Sequence, residues 1–204
     1  MVVLKSIGVT IAAYFIGSVP FGYMVARFGY GIDIRDHGSK NIGFTNVLRI
    51  IGPVPGAFTL IGDVLKGVAA IGLARLFNLP DLAVIAAGLA VIAGHNWSIF
   101  LKFRAGRGVA TGLGVALALT WQPTLVLMAV WGIILLVTRY VSVASIVSVA
   151  LYPVIVYFLK LPSPYVIMGV IGAAAIIWQH RDNVKRLIKG EESKLGKREQ
   201  GTEK

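Results

Sequence analysis

The sequence predicts an all-α integral membrane protein of seven transmembrane helices, its amino terminus outside and its carboxyl terminus cytoplasmic. Three observations carry this prediction. Apolar runs close to the roughly 20 residues that a membrane helix needs recur along the chain. Only 14% of the 204 residues are charged, against roughly 25% in an ordinary soluble domain. With seven spans drawn, 16 of the 20 Lys and Arg residues fall on one side of the bilayer. A mean hydropathy of +0.78 leaves too little polar surface to coat a globule in water.

Apolar runs bounded by Pro, Gly and charge place the spans at 2–26, 53–78, 81–101, 109–121, 122–138, 142–160 and 164–180. The first has only Lys5 near its start and no small-residue cleavage site, so it reads as a retained helix and not a signal peptide. The fourth is short, and only Trp121-Gln122-Pro123 separates it from the fifth. One long kinked helix is the rival, since Pro disrupts the helical ladder. Charge decides between them. Seven spans gather Arg27, Arg35, Lys40 and Arg49, then Lys102, Arg104 and Arg107, then Arg139 and the basic tail on one side, as the positive-inside rule requires. Trp97, Trp121 and Trp178 fall near span ends, where interfacial aromatics belong. The turns at 79–80 and 161–164 are short and carry no chemistry. Residues 1–204 therefore read as one polytopic domain with a basic cytoplasmic tail from about 181, its end frayed.

The chain lacks cysteine, which excludes disulfide scaffolds, thiolate metal sites and cysteine nucleophiles. Its net charge of +11 points, in a membrane protein, first to topology and to anionic lipid or substrate, and not to nucleic acid.

Chemistry concentrates in the cytoplasmic segments. The first runs from Gly38 to Arg49. Gly38 and Gly43 permit positive φ, so successive N–H groups can form an anion-binding nest. Ser39, Asn41, Thr45 and Asn46 add neutral donors, and Lys40 and Arg49 add charge. A turn that merely satisfies its own backbone is the plainer alternative. The second segment contains His95 and Asn96 at a span end, then Lys102, Arg104, Gly106, Arg107, Gly108 and Thr111. Three cations among glycines, leading into a helix start, suggest a second phosphate cradle. It lacks the spacing of a Walker loop. Asp63 and Lys66 lie three apart on one face of the second span. Charges at such depth must pair or face a polar cavity, so they form a packing ion pair or help to order the first loop. Asp33 and Asp36 have no further ligands around them and read as solvated charges. At the end of the last span, His180 and Asn183 share a helical face, while Lys185 to Lys189 suit lipid headgroups.

These strings together resemble the bacterial membrane acyltransferase family often called PlsY, over nearly the whole chain. The likeness rests on Gly17-Ser18-Val19-Pro20-Phe21-Gly22, the loop Gly38 to Asn46, Gly94-His95 with Phe103 to Thr111, and the string from His180 through Asn183 and Arg186 to Gly190 and Glu192. Phe44 stands where the family has Ala, and Ala105-Gly106-Arg107 where it has Gly-Gly-Lys. Arg for Lys keeps the charge but makes it a planar fork. The resemblance implies seven helices in the bacterial inner membrane with the site on the cytoplasmic side. It implies acyl phosphate and glycerol 3-phosphate as substrates, lysophosphatidic acid and phosphate as products, and neither metal nor coenzyme.

The residues agree on one point. A His-x4-Asp dyad, on which the other large class of glycerol-phosphate acyltransferases relies, is absent: Ile42, Phe100 and Lys185 lie five after the three histidines. No activated Ser triad or Cys is available for a covalent intermediate, so direct attack by the glycerol hydroxyl is expected. His95, His180 and a substrate phosphate are the candidate proton acceptors, with Asn183 beside them. A transporter would show inverted repeats, and a metal-dependent head-group transferase would need more carboxylates.

Overall fold

A computed structural model describes residues 1–196 of the chain as an all-α bundle. Lys197, Arg198 and Lys204, counted in the basic tail, lie outside the described residues. The helices are α1 (Val2–Ser18), α2 (Phe21–Tyr30), α3 (Phe44–Ile50), α4 (Pro53–Leu76), α5 (Asp81–Asn96), α6 (Val109–Leu119), α7 (Trp121–Thr138), α8 (Val141–Phe158), α9 (Ser163–Gln179) and α10 (Arg181–Ile188). Short 3₁₀ turns occupy Ile34–Asp36 and Ile99–Leu101.

The first apolar run is not one helix. Pro20 disfavours the helical region for the residue before it, and Val19 sits at φ −59°, ψ 115°. The chain bends there and resumes as α2. The Trp121-Gln122-Pro123 junction is a true break as well: Thr120, at φ −144°, ends α6 and opens α7. Pro123 then falls in the first turn of α7, where its missing N–H costs no helical hydrogen bond. Residues 109–138 are thus two helices and not one kinked rod.

Among the described residues, five segments are long and apolar enough to cross a membrane: α1 with α2, α4, α5 with the turn after it, α7 and α8. A sixth is α9 taken with α10 across a 55° bend. The seven spans expected from the sequence are not all matched by length. With 11 residues, α6 reaches only about 16 Å, about half the hydrocarbon core.

Packing relies on small residues, as it does between helices in lipid. A Cβ on Gly17 would strike the Val91 carbonyl of α5, and one on Gly94 would strike the Tyr14 carbonyl of α1. Gly67 and Gly114 let α4 and α6 approach in the same way. One apolar core, including Ile71, Val91, Val115 and Val156, fills the bundle. A smaller one (Ala26, Ile34, Ile42, Val47 and Leu101) lies beneath the first loop. Outward faces stay apolar, with Phe58, Leu136 and Phe158 between 63 and 83% exposed, as lipid contact demands.

Candidate active site

One cavity of about 910 Å³ descends from the loops into the space between α6, α7, α8 and α9. Its loop end is polar, with Ser39, Lys40, Arg49, Arg107, His180 and Asn183 in the wall. Its inner end is apolar, with Leu127, Trp131, Met168 and Ile176.

The first loop is built around Asn46, which is only 2% exposed. Its Oδ1 accepts the Ser39 N–H at 3.0 Å, and its Nδ2 donates to the carbonyls of Ile34, His37 and Asn41 at 2.9–3.3 Å. Asn41 Oδ1 accepts the Gly43 N–H at 2.9 Å, and its Nδ2 donates across to the Ala105 carbonyl at 3.3 Å. The two amides expected to hold phosphate are therefore committed to shaping the loop and fastening it to the second one. Gly43, at φ −78°, is not the left-handed residue expected. Gly38 (φ 55°) is left-handed as expected, and Lys40 (φ 57°) is the second such residue of the loop. Asn41, Gly43 and Asn46 line the cavity wall together with Ser39, Lys40, Thr45 and Arg49.

The second loop departs further from expectation. Lys102 (φ 53°) and Phe103 (φ 61°) are consecutive left-handed residues, and this reversal turns 102–104 outward. Lys102, Phe103 and Arg104 are exposed, and neither cation lines the cavity; Arg107 does. Of three expected cations, one reaches the site. Burial first, and then the neighbouring Arg186, draw the Arg107 guanidinium down to about 10, so it keeps its charge at neutral pH. Gly106 donates its N–H to the His95 carbonyl at 2.9 Å, and a Cβ there would strike the His95 ring. Gly108 (φ 84°) caps α6 against the Asn96 amide. Asn96 and Thr111 are buried behind this loop and outside the cavity wall, and among the described residues the Asn96 amide and Thr111 Oγ1 have no hydrogen-bond partner.

Asp63 and Lys66 pair at 2.8 Å, fully buried, as their spacing suggested. Sequence reasoning missed their third partner. Lys66 Nζ lies 2.7 Å from His95 Nδ1 and donates to the Val19 carbonyl at 3.1 Å. The pair thus supports His95 and through it the second loop, as well as the Val19-Pro20 bend.

His180 and Asn183 are both 2% exposed and meet at the cavity. His180 Nδ1 bonds the Ile176 carbonyl at 2.8 Å. The tail, expected to fray, folds back as far as it is described. Gly190 (φ 72°) turns the chain after α10, bringing Glu192 into the cavity wall. Its carboxylate accepts from Asn183 Nδ2 (2.6 Å), Ser142 Oγ (2.7 Å) and Arg186 Nε (2.8 Å). Burial pushes this carboxyl up, but the bonds from Asn183, Ser142 and Arg186 outweigh it and hold it below its ordinary value. Ser142, Arg186 and Glu192 were not selected from the sequence, although Arg186 and Glu192 belong to the His180-to-Glu192 string. Arg186, taken for a headgroup contact, instead turns inward to Glu192.

Asp33 pairs with Arg35 at 2.6 Å, and that hydrogen bond holds its carboxyl at about 2. Among the described residues, no three His, Asp or Glu side chains gather as a metal site.

Fold and site together define a membrane-embedded helical protein with a cation-lined cavity that continues into an apolar pocket. The family model described as glycerol-3-phosphate acyltransferase matches residues 7–190. The glycerol-3-phosphate acyltransferase of Desulforamulus reducens is 44% identical, covering 97% of this chain and 99% of its own. That of Gloeobacter violaceus is 43% identical, with 94% and 95% covered. Among solved structures, the glycerol 3-phosphate form of the integral membrane acyltransferase PlsY (YgiH) superposes with a TM-score of 0.89 at 35% identity, covering 94% of this chain and 96% of that one. Its lysophosphatidic acid form gives 0.87 at the same identity, with 94% and 95% covered. This chain belongs to the glycerol-3-phosphate acyltransferase family, and is an integral membrane acyltransferase of phospholipid biosynthesis.

Proposed function

We propose that this chain transfers a fatty acyl group from acyl phosphate to the 1-hydroxyl of glycerol 3-phosphate, releasing lysophosphatidic acid and inorganic phosphate. The observation that carries the proposal is one continuous cavity, whose polar end suits two phosphates and whose apolar end suits a fatty chain. The solved relatives in glycerol 3-phosphate and lysophosphatidic acid forms support it.

Lys40, Arg49 and Arg107 hold the phosphates, aided by Ser39, Thr45 and the first turn of α6 behind Gly108. Lys102 and Arg104 stand outside the cavity, so Arg107 is the cation assigned from the second loop. Acyl phosphate carries a good leaving group, and the glycerol oxygen attacks its carbonyl directly, without an acyl-enzyme. Aligning the two reactants supplies up to about 7–11 kcal/mol in ideal cases.

Geometry separates the two histidines as proton acceptors. The Ile176 carbonyl can only accept, so His180 Nδ1 carries its proton and Nε2 is left basic. His95 Nδ1 instead faces the Lys66 ammonium. It accepts there, which puts the ring proton on Nε2 and leaves no basic nitrogen. His180 is therefore the side-chain acceptor, with a substrate phosphate as its competitor. Asn183 Oδ1, buried with no partner among the described residues, is placed to accept from a glycerol hydroxyl. His95, Asp63 and Lys66 act as positioning residues, with Asn96, Gly106 and Thr111 supporting the second loop.

We read residues 1–204 as one domain in the bacterial inner membrane with seven crossings, α6 being a short one, and with both loops and the tail cytoplasmic. The absence of native cysteine makes single-cysteine labelling direct. Ser163→Cys should react from outside and Ser39→Cys from the cytoplasm; labelling of Ser163→Cys from the cytoplasm would overturn the seven-span arrangement.

The deciding assay mixes purified protein with palmitoyl phosphate and glycerol 3-phosphate. Lysophosphatidic acid and phosphate should appear in equal amounts, persist in EDTA, and not form from palmitoyl-coenzyme A. A requirement for the thioester or for a divalent ion would refute the donor assignment or the metal-free reading, respectively.

A further inference from the structure

We propose that Tyr152 is the stop that sets how long an acyl chain the cavity accepts. This rests on the acyl-transfer reading above and adds a specificity-determining residue to it.

The stripe of α8 that faces the cavity runs Ser142, Ser145, Ser148 and Tyr152, spaced so that all point the same way. The three serines are small and leave a groove open beside α7. The Trp131 ring of α7 borders this groove, its Nε1 donating to Ser145 Oγ at 3.2 Å, and Tyr152 is the first bulky side chain on the α8 stripe itself. Its hydroxyl bonds Thr120 Oγ1 at 2.7 Å, which anchors the ring at the α6–α7 break. Across the gap, α9 presents Gly169 to the ring, where a Cβ would come within 2.8 Å. The ring therefore fills the space between α8 and α9. Below it the cavity ends: Val156, one turn further along α8, is fully buried in the core and lines none of it.

These positions make a ruler. Ser142, which touches the polar site through Glu192, lies ten residues before Tyr152, so the groove between them is about 15 Å long at the helical rise. An extended chain advances about 1.25 Å per methylene, from saturated bonds of about 1.52 Å and angles near 111°. The groove thus accommodates about 12 methylenes in line, and further carbons must bend or emerge between helices. Each methylene left unburied costs affinity, about tenfold for two.

The test compares two substitutions of opposite sign. Tyr152→Leu removes the ring and lowers the floor. Ala116→Leu adds bulk from α6 at a residue that lines the cavity and borders the apolar core, and so raises the floor. Lauroyl, myristoyl, palmitoyl and stearoyl phosphates are compared by kcat/KM, and the matching lysophosphatidic acids by binding to the full-length protein in nanodiscs. The stearoyl-to-lauroyl ratio should rise about tenfold in Tyr152→Leu and fall about tenfold in Ala116→Leu, by both readouts. Unchanged ratios in folded Ala116→Leu protein would overturn the proposal, even if Tyr152→Leu fails to fold. If no acyl phosphate is turned over but the binding ratios still move as stated, the stop stands and the donor assignment falls.

Discussion

The two glycine-rich loops present nearly the same ingredients, yet the fold uses them in different ways. The first loop supports itself: Asn46 gathers one N–H and three carbonyls of its own segment, over a small apolar core. The second loop is supported from beneath. Its Gly106 N–H rests on the His95 carbonyl, and His95 rests on the buried pair of Asp63 and Lys66. Composition reveals that a segment can bind anions, but only its supports decide which side chains face the cavity.

The largest expected effect comes from cutting the second loop's support. Lys66→Met leaves Asp63 and His95 buried beside a vanished charge, and breaking such a pair costs about 3–5 kcal/mol. The thermal midpoint in micelles should fall sharply. Asp63→Leu with Lys66→Met should recover much of it, because the uncompensated charge is gone. If the double variant is no better than the single one, the pair is not a coupled support.

Asn46→Ala sharpens the contrast from the other side. Orphaned buried groups cost about 1–3 kcal/mol each, but water reaches this loop more easily than mid-membrane. Limited proteolysis should cut within residues 35–46 while the bundle's thermal midpoint moves less than in Lys66→Met. Equal loss of both would mean that the first loop is not self-supporting.

His180→Gln should keep the fold and the KM for glycerol 3-phosphate while lowering kcat about 10²–10⁴-fold, the range of general-base catalysis. Near-normal turnover would transfer that role to a substrate phosphate. A smaller effect follows from pH. Glu192 sits below its ordinary value of 4.5, so its hold on the tail is fully present above that value and is lost as pH falls through the lower folded value. Labelling of Ser193→Cys should increase on acidification, and Glu192→Gln should abolish that step.

Much of the bundle was legible because apolar runs between prolines, glycines and charges leave few alternatives in lipid. The Asp63–Lys66 pair was legible from spacing on one helix. Its link to His95 was not, since it joins residues 29 apart on different helices. The outward turn of Lys102 and Arg104 depends on two non-glycine left-handed residues, which sequence disfavours and tertiary contacts must impose. The return of Glu192 was half visible: Gly190 permits the turn, and Asn183 and Arg186 lie close in sequence, but its third partner, Ser142, is 50 residues away.

In the acyl-transfer reading proposed above, position in the cavity, and not charge in the loop, selects the phosphate-binding cation. Arg107→Gln and Arg104→Gln remove the same charge three residues apart, so the KM for glycerol 3-phosphate of the two variants, measured side by side at constant ionic strength, tests it directly. A charge-assisted hydrogen bond is worth about 1.5–3 kcal/mol, so Arg107→Gln should raise KM at least about tenfold, while Arg104→Gln should stay within about twofold. Equal increases in the two variants, or an unchanged KM in Arg107→Gln, would contradict the account.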